Sequence, residues 1–275
     1  MRNPNITFFI LSDMQNNEIP FLDTVVSILK EASGLMLTDA FEISQKEGYA
    51  NIVTSSDVAV QDFLCRRLSE LLPCSGFLCE EKDIHDTSHE WTWVIDPIDG
   101  TANYSRGIDQ CAVCVGLKHG ENIELGVVWL PRTGELFTAE RGRGAFLNGR
   151  RISVSRRPFA DAVMCTALPV YHKEYAGVCS SVIRDTFMEC NDIRRFGAAA
   201  PELCYLAMGR CELYFEYLLS PWDFAAASLV LTEAGGTITD LSGRPLTCMQ
   251  PSGVIAGNSV ENHGKLLEIV KRHIG

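Results

Sequence analysis

The acidic residues best placed to bind a metal or take part in catalysis stand directly after apolar segments of this sequence. Asp96 and Asp99 lie three residues apart in the run WVIDPIDGTANY, residues 93–104. Glu80 also follows a short apolar run, and Asp223 follows Pro-Trp ahead of a long apolar segment. Carboxylates are costly at the end of a buried strand unless a cation binds there, and their oxygens are hard ligands. These four positions therefore predict a site for Mg²⁺ or Mn²⁺.

The residues around the two aspartates add features that suit phosphate. Pro97 fixes the backbone between them, and the carbonyl of Ile98 offers one more oxygen ligand. Gly100 permits close approach of the backbone to an anion, and the N–H groups of Gly100 and Thr101 can donate to phosphate oxygens. The Thr101 hydroxyl can orient a water if a carboxylate backs it. Two ions about 4 Å apart would polarise a phosphoryl group and activate water.

Each acid also has a simpler interpretation when it is taken alone. Asp, Pro and Gly are turn residues, so the run 96–100 could be an ordinary turn. Glu80 and Glu81 could be a solvated surface pair. Asp57 has the spacing of a helix-capping residue, and Asp223 could merely favour a helix N-terminus. Taken singly, none of these residues settles a function.

Composition and charge limit the classes of partner. The 275 residues are 46% hydrophobic and 21% charged, which allows one large domain or two intimate ones. The net charge of −11 argues against a nucleic-acid groove and against an anionic membrane surface. The apolar run 6–11 is too short to span a membrane. We therefore expect neither nucleic acid nor membrane as a partner.

The cysteines predict a reducing environment. There are eleven, an odd number without the spacing of a small disulfide scaffold. Cys111 and Cys114 form a lone CxxC inside an apolar run, which is typical of core cysteines rather than of zinc or redox chemistry. Many free thiols favour a cytoplasmic location.

The hydrophobic periodicity predicts an α+β protein. A helix is expected over 21–37, and a second one that starts near Thr54 and Asp57, at capping-box spacing, and stops at Pro73. The strand 91–95 leads directly into the two aspartates. Further expected strands lie at 76–78, 111–117, 123–130, 135–139, 145–147, 151–154, 163–167, 211–215, 237–240 and 254–256, and further helices at 175–190, 198–208, 223–234 and 261–274.

The pattern of predicted elements changes near residue 156, after which strands and helices alternate. We expect an N-terminal α+β subdomain over 21–155, which carries Glu80 and the two aspartates, and a C-terminal α/β subdomain over 156–275. Residues 1–20 read as a leader whose role the sequence does not reveal.

Five segments together resemble a known family. The run 93–104 closely resembles the first signature of the inositol monophosphatase family, the lithium-sensitive, magnesium-dependent phosphatases. PWDFAAASLVLTEAGG, residues 221–236, resembles the second signature. FLCEE at 77–81 is similar to the family's Gly-Glu-Glu element, and ANIVTSSD at 50–57 to its Asp-Leu-Val-Thr-x-x-Asp element. The hairpin sequence 140–155 also resembles the family, and all five occur in the family's order.

The resemblance implies a fold, an assembly and a reaction. The fold would be a layered αβαβα sandwich of the inositol monophosphatase and fructose-1,6-bisphosphatase type, with mixed, largely antiparallel sheets. The assembly would be a homodimer. The activity would be a metal-dependent phosphomonoesterase with two to three Mg²⁺ ions, Mn²⁺ as a substitute and Li⁺ as an inhibitor.

The resemblance also assigns roles residue by residue. The implied metal ligands are Glu80, Asp96, the carbonyl of Ile98, Asp99 and Asp223. The implied catalytic residues are Glu80, Thr101 and Asp57, which position and activate the attacking water. The implied substrate-binding residues are Asp99, Gly100, Thr101, Gly197, Ala198, Glu216 and Asp223. Lys46 is aligned loosely with a loop lysine near the third metal.

Three positions depart from the family pattern. Cys79 stands where glycine is usual, and Asn51 where an acid is usual. Neither is an implied ligand, so we expect activity to survive. Ala198 stands where a hydroxyl residue is common, which puts the substrate contact there in doubt.

The expected substrate is a small phosphorylated metabolite, first of all a myo-inositol monophosphate. Fructose 1,6-bisphosphate and histidinol phosphate are alternatives. 3′-Phosphoadenosine 5′-phosphate is a weaker one, because Ala102 stands where its specific phosphatases often have lysine. Two non-enzymatic alternatives are a binding protein on the same fold, since some bacterial relatives associate with the transcription machinery, and a metal-storage or sensing domain.

Overall fold

The computed structural model describes residues 22–37, 43–45, 52–82 and 84–274. The leader over 1–20, Lys46 and Asn51 lie outside the described residues, so the expectations for them stay predictions.

An eight-stranded sheet carries the first half of the chain. Its strand order is β10-β9-β8-β7-β6-β5-β3-β4, and every neighbouring pair is antiparallel except β3 and β5. The strands are β3 (Gly76–Cys79), β4 (His85–Asp86), β5 (Trp91–Asp99), β6 (Ala112–His119), β7 (Asn122–Leu130), β8 (Glu135–Glu140), β9 (Gly144–Leu147) and β10 (Arg150–Arg151).

A five-stranded mixed sheet carries the second half. Its order is β12-β11-β13-β15-β14, with β11 parallel to both of its neighbours and the other pairs antiparallel. The strands are β11 (Val163–Thr166), β12 (Asp192–Arg194), β13 (Leu213–Leu219), β14 (Thr237–Thr239) and β15 (Ser252–Gly257). A separate antiparallel pair joins β1 (Ile43–Gln45) to β2 (Ile52–Thr54).

Seven α-helices are present in the described part of the chain. They are α1 (Leu22–Ser33), α2 (Ser55–Leu71), α3 (Thr101–Tyr104), α4 (Ala176–Phe187), α5 (Ala199–Ala207), α6 (Pro221–Glu233) and α7 (Val260–Ile274). Among them none is long and apolar enough to cross a membrane.

The core divides into the layers of an αβαβα sandwich. Alternate residues of β5, such as Trp93 and Val94, point to opposite faces of the large sheet. The Trp93 face packs against α1 and α2, whereas the Val94 face packs against α5 and α6. The far side of α5 and α6 meets the small sheet through residues such as Tyr214, and the outer face of that sheet packs on α4 and α7. The predicted fold class is therefore confirmed.

Helix α6 lies unusually close to the large sheet. A Cβ added at Gly126 of β7 would come within 2.4 Å of the Ala226 carbonyl oxygen, so only glycine fits there. This close packing explains why α6 is rich in alanine. The helix belongs to the second half of the sequence but packs on the sheet of the first half, and the division into subdomains at residue 156 stays a prediction.

Several element boundaries differ from the sequence expectation, and three of them have a structural cause. The strand expected over 151–154 ends at Arg151, because the chain leaves the sheet and Val154 N–H donates to the Ala234 carbonyl. Strand β13 does not end at Glu216 but continues to Leu219 past a register shift. Helix α6 starts two residues early, with Pro221 in its first turn.

Candidate functional site

Glu80 and Asp96 become neighbours through the one parallel pairing of the large sheet. In β3 and β5, Cys79 pairs with Ile95, so the next residue of each strand emerges at the same carboxyl edge. The Glu80 N–H donates to the Ile95 carbonyl at 3.3 Å, which continues the ladder to this point. Two carboxylates 16 positions apart in sequence (80 and 96) thus share one sheet edge.

A bulge in β5 places Asp96 and Asp99 on the same side of the sheet. Residues three apart in a regular strand face opposite sides. Here Asp96 pairs with Cys114 but Asp99 pairs with Ala112, so β5 contains one more residue than its partner. The Asp96 carboxylate accepts the Ile98 N–H at 3.0 Å, which stabilises the turn inside the bulge. Both carboxylates consequently face the inner helix layer.

Two helix N-termini meet these carboxylates. Asp99 accepts the N–H groups of Ala199, at 3.3 Å, and Ala200, at 2.6 Å, in the first turn of α5. Asp223 is the third residue of α6 and forms a capping box with Ser220, whose N–H lies 2.7 Å from its carboxylate. The positive ends of both helix dipoles are therefore directed at the site.

Ionisation of these carboxylates remains unfavourable despite the hydrogen bonds from the amides. Burial raises the pKa of Asp96 well above its usual range, and the charges of Glu80 and Asp99 raise it further. Burial raises the pKa of Asp99 to about 6, against the lowering effect of the two amides. The pKa of Asp223 is also raised well above its usual range, first by burial and then by Asp99 and Glu80. In the described part of the chain, no lysine or arginine forms an ion pair with Asp96, Asp99 or Asp223.

This donor set fits divalent cations. Buried carboxylates that repel one another need protons or cations, and clustered oxygens suit hard ions such as Mg²⁺. Among the described residues, no three acidic, histidine or cysteine side chains already converge on one point as a finished metal cage.

Asp57 and Thr101 are in hydrogen-bond contact. The Thr101 hydroxyl lies 3.1 Å from Asp57 Oδ1 and 3.0 Å from the Ile98 carbonyl oxygen. The other oxygen of Asp57 accepts the N–H of Thr54 at 2.8 Å, as the predicted capping box of α2 requires. Burial raises the pKa of Asp57, and its hydrogen bonds from Thr54 oppose that rise. Both interpretations of Asp57, as a cap and as a partner of the threonine, hold at once.

The glycine after Asp99 is required by its surroundings. Gly100 has φ +88°, and an added Cβ would lie 2.9 Å from the Gln110 carbonyl oxygen and 3.0 Å from Ala198 Cβ. Ala198 itself is 4% exposed and directly precedes α5. Gly197 also has a positive φ, of 85°. The structure thus packs the predicted phosphate loop against the predicted substrate segment.

Glu216 stands on β13 near the same acids. Its carboxylate accepts a hydrogen bond from the Tyr214 hydroxyl, with 2.6 Å between the two oxygens. Burial raises the pKa of Glu216 to about 7, against the lowering effect of Tyr214, and the charge of Asp99 adds to the rise. Its electrostatic link to Asp99 places it within the same charge cluster.

Three residues that sequence reasoning missed hold this arrangement in place. The Gln61 side chain accepts the Glu81 N–H at 2.8 Å and donates to the Glu81 carbonyl at 2.6 Å. Asn103 donates to the carbonyls of Gln110 and Phe196. Glu202 accepts the N–H groups of Phe196 and Gly197. Only Gln61 carried a sequence signal, since it lies one helical turn after Asp57 on α2.

The layered fold is shared with a family of phosphatases. Residues 12–275 match the sequence model of the inositol monophosphatase family, and the chain belongs to that family. The family is typically metal-dependent.

Individual relatives cover nearly the whole chain. Nus factor SuhB of Escherichia coli strain K12 is 36% identical over 246 residues, which are 87% of this chain and 91% of that protein. The inositol-1-monophosphatase of Mesorhizobium japonicum is 34% identical over 259 residues, which are 91% and 96% of the two chains. The crystal structure of extragenic suppressor protein suhB from Bartonella henselae superposes with a TM-score of 0.85 at 35% identity, over 92% of this chain and 99% of the other.

Proposed function

We propose that this protein is a Mg²⁺-dependent phosphomonoesterase that hydrolyses a small polyol or sugar phosphate, with myo-inositol monophosphate as the first candidate. The observation that carries the proposal is the cluster of Asp96, Asp99 and Asp223, which form no ion pair with a lysine or arginine of the described residues, beside the contact between Thr101 and Asp57. The inositol-1-monophosphatase among its relatives supports the substrate. A cytoplasmic homodimer is part of the same proposal.

The metal ligands proposed are the carboxylates of Glu80, Asp96, Asp99 and Asp223 and the carbonyl of Ile98. Bound divalent ions would supply Lewis acidity toward the phosphoryl oxygens and lower the pKa of water. The bulge in β5 suits this role, because it turns the two aspartates to one side of the sheet.

Thr101 and Asp57 are proposed to move the proton of the attacking water. The Thr101 oxygen accepts a proton from water while its own hydroxyl proton passes to Asp57 Oδ1, 3.1 Å away. Burial raises the pKa of Asp57, which makes its carboxylate a better base than an exposed aspartate. The resulting hydroxide attacks phosphorus in line, the P–O bond to the substrate oxygen breaks, and the leaving alkoxide takes a proton from solvent water, so no phospho-enzyme forms.

The start of α3 is proposed to bind the phosphate. Amides in the first turn of a helix lack acceptors within the helix, so those of Gly100 and Thr101 are oriented to donate to anionic oxygens. Ala198 borders this loop closely, and Glu216 lies in the same charge cluster. The carboxylate of Glu216 is a suitable acceptor for a substrate hydroxyl, which favours a polyol.

Phosphate release tests the proposal directly. The purified protein is assayed with myo-inositol 1-phosphate, fructose 1,6-bisphosphate, histidinol phosphate and 3′-phosphoadenosine 5′-phosphate, with Mg²⁺ or with a chelator. We expect Mg²⁺-dependent turnover, highest kcat/KM for the inositol phosphate and inhibition by Li⁺. Intact Mg²⁺-dependent turnover in Asp99→Asn would make the site assignment wrong.

One alternative is supported by the relatives. Several of them, including the Escherichia coli protein, are named Nus factor SuhB, which favours a binding role for the same fold. Absence of turnover on every substrate above, in a protein whose melting temperature still rises with Mg²⁺, would favour that alternative.

A further inference from the structure

Cys65 and Cys79 form a thiol pair beside the carboxylate edge. Their sulfurs lie 3.7 Å apart, in hydrogen-bond contact, although the residues belong to different elements. Cys65 lies on α2, and Cys79 is the last residue of β3, directly before Glu80. A disulfide bond is about 2.05 Å long, so closing this contact needs a shift of under 2 Å.

The two thiols differ in access to solvent. Cys65 is half-buried, so a small oxidant can reach it. Cys79 is fully buried, and its sulfur is in hydrogen-bond contact with the Cys65 sulfur. The hydrogen bond from Cys79 lowers the pKa of Cys65, which favours the nucleophilic thiolate at the accessible position. This is the arrangement of an attacking cysteine with a resolving cysteine behind it.

The cysteine pair lies in a row of contacts between helix α2 and the segments that carry the carboxylates. Asp57, Gln61 and Cys65 follow one another at four-residue intervals on α2, so they share one face of the helix. Asp57 contacts Thr101, Gln61 binds both main-chain groups of Glu81, and Cys65 contacts Cys79. A covalent bond at the third of these contacts would fix the end of β3 to the helix.

We propose that Cys65 and Cys79 are an oxidation site that closes to an intramolecular disulfide on exposure to a hydroperoxide. The Cys65 thiolate attacks one peroxide oxygen and the O–O bond breaks. Cys65 becomes a sulfenic acid, and the leaving hydroxide takes up the proton that the Cys65 thiol released and departs as water. The Cys79 sulfur then attacks the Cys65 sulfur, the S–O bond breaks, and the hydroxyl leaves as water with the Cys79 proton. In sum, two thiols and one hydrogen peroxide give one disulfide and two waters.

The consequence for turnover rests on the proposed function. Because Cys79 pairs with Ile95 and precedes Glu80, the disulfide shifts the strand ends that carry Glu80 and Asp96. Oxidation therefore lowers phosphate release several-fold, and dithiothreitol restores it.

Mass spectrometry of the full-length protein tests the site without any assay of activity. The reduced protein is treated with hydrogen peroxide, free thiols are blocked, and peptides are mapped. We expect a Cys65–Cys79 cross-link in the parent and in Cys190→Ser, a control that removes another half-buried thiol, one bonded to a carbonyl rather than to a sulfur. Cys65→Ser should leave Cys79 reduced, and Cys79→Ala should accumulate sulfenic acid at Cys65, detected with dimedone.

Two results would overturn the proposal. One is sulfinic acid at Cys65 of the parent protein with Cys79 still a free thiol. The other is cross-linking of Cys65 only to cysteines other than Cys79. If the cross-link forms and turnover stays unchanged, the regulatory consequence is wrong although the site stands. A parent protein without any turnover when reduced would count against the proposed function and not against the oxidation site.

Discussion

Asp57 divides its two carboxylate oxygens between two neighbours, and Thr101 receives the contact that faces the site. Oδ1 lies 3.1 Å from the Thr101 hydroxyl, and Oδ2 accepts the main-chain N–H that starts α2. The Thr101 hydroxyl has one proton and two acceptors within reach, Asp57 and the Ile98 carbonyl. Transfer of that proton to Asp57 is the step that a relay from an attacking water requires.

Thr101→Ala removes the relay without touching the helix cap. We expect kcat to fall about 10²- to 10⁴-fold, the range of general acid–base catalysis, with little change in melting temperature. Steady-state kinetics and thermal unfolding measure the two effects. Thr101→Ser, which keeps the hydroxyl, is the matched control and should retain most of the turnover. Parental kcat in the alanine variant would refute the relay.

Asp57→Ala should have a double effect, because the residue has two roles. Loss of the capping box lowers the free energy of unfolding by about 1 kcal/mol, and loss of the base lowers kcat as in Thr101→Ala. Denaturant unfolding and phosphate release are measured on the same preparation. A variant that loses stability but keeps kcat would leave Asp57 as a helix cap alone.

Asp96→Asn should weaken Mg²⁺ binding and increase the stability of the metal-free protein. The amide oxygen still accepts the Ile98 N–H, while the negative charge leaves a buried cluster whose members raise one another's pKa. With a chelator present, we expect the variant to be more stable than the parent by about 1–2 kcal/mol. It should also lose most of the rise in melting temperature that Mg²⁺ gives the parent.

The control for this change lies on the protein surface. Asp185 pairs with Arg184 and His273, and the helices that carry it and His273, α4 and α7, pack on the outer face of the small sheet. Asp185→Asn should respond to Mg²⁺ as the parent does. If Asp96→Asn responds equally, Asp96 is not a ligand.

The sequence was sufficient to single out the acidic residues as candidates, but it did not reveal how their side chains are oriented. The types and order of Glu80, Asp96, Asp99 and Asp223, together with the two signatures, were sufficient for the family. The common orientation of Asp96 and Asp99 was not predictable, because it depends on an extra residue in β5 relative to β6. Such a bulge is a property of the paired strands and leaves no periodic pattern in one of them.

The predicted ends of strands and helices were wrong where hydrogen-bond partners distant in sequence determine them. The strand expected over 151–154 has suitable residues, but Val154 finds its partner at Ala234 in the helix layer. Likewise β13 continues beyond Glu216 because β15 supplies partners after a register shift. The contacts of Gln61 with Glu81 span twenty positions, so the position of Gln61 one helical turn after Asp57 does not identify Glu81 as its partner.

Gln61→Ala should disturb the segment that carries Glu80. Gln61 is fully buried and satisfies both the N–H and the carbonyl of Glu81. Two unpaired main-chain groups should lower the free energy of unfolding by about 2–4 kcal/mol. We also expect a higher Mg²⁺ concentration for half-maximal turnover, since Glu80 is adjacent. This shift in the Mg²⁺ titration is the readout that a merely structural role would not produce.

The neighbouring position offers the control. Asp62 lies next to Gln61 but forms an exposed ion pair with Lys82. Asp62→Asn should change the free energy of unfolding by less than about 1 kcal/mol and leave the Mg²⁺ titration unchanged. Equal titrations for the parent and Gln61→Ala would show that Gln61 does not position Glu80.

Glu202 should make stability fall with rising pH. It is 1% exposed, and one of its oxygens has no hydrogen-bond partner among the residues that the structure describes. Burial raises its pKa to about 8 from an ordinary value of 4.5. Between these two values the folded protein holds a proton that the unfolded chain releases, so the free energy of unfolding decreases as pH rises through this window. Glu202→Gln, which mimics the protonated acid, should flatten that decrease and be more stable than the parent at pH 8. The control is Glu174→Gln, because the pKa of this exposed residue is lowered by its hydrogen bonds and its loss should leave the decrease intact. Urea unfolding at half-unit steps of pH measures the slopes, and parallel profiles for the parent and Glu202→Gln would show that Glu202 is ionised in the folded protein.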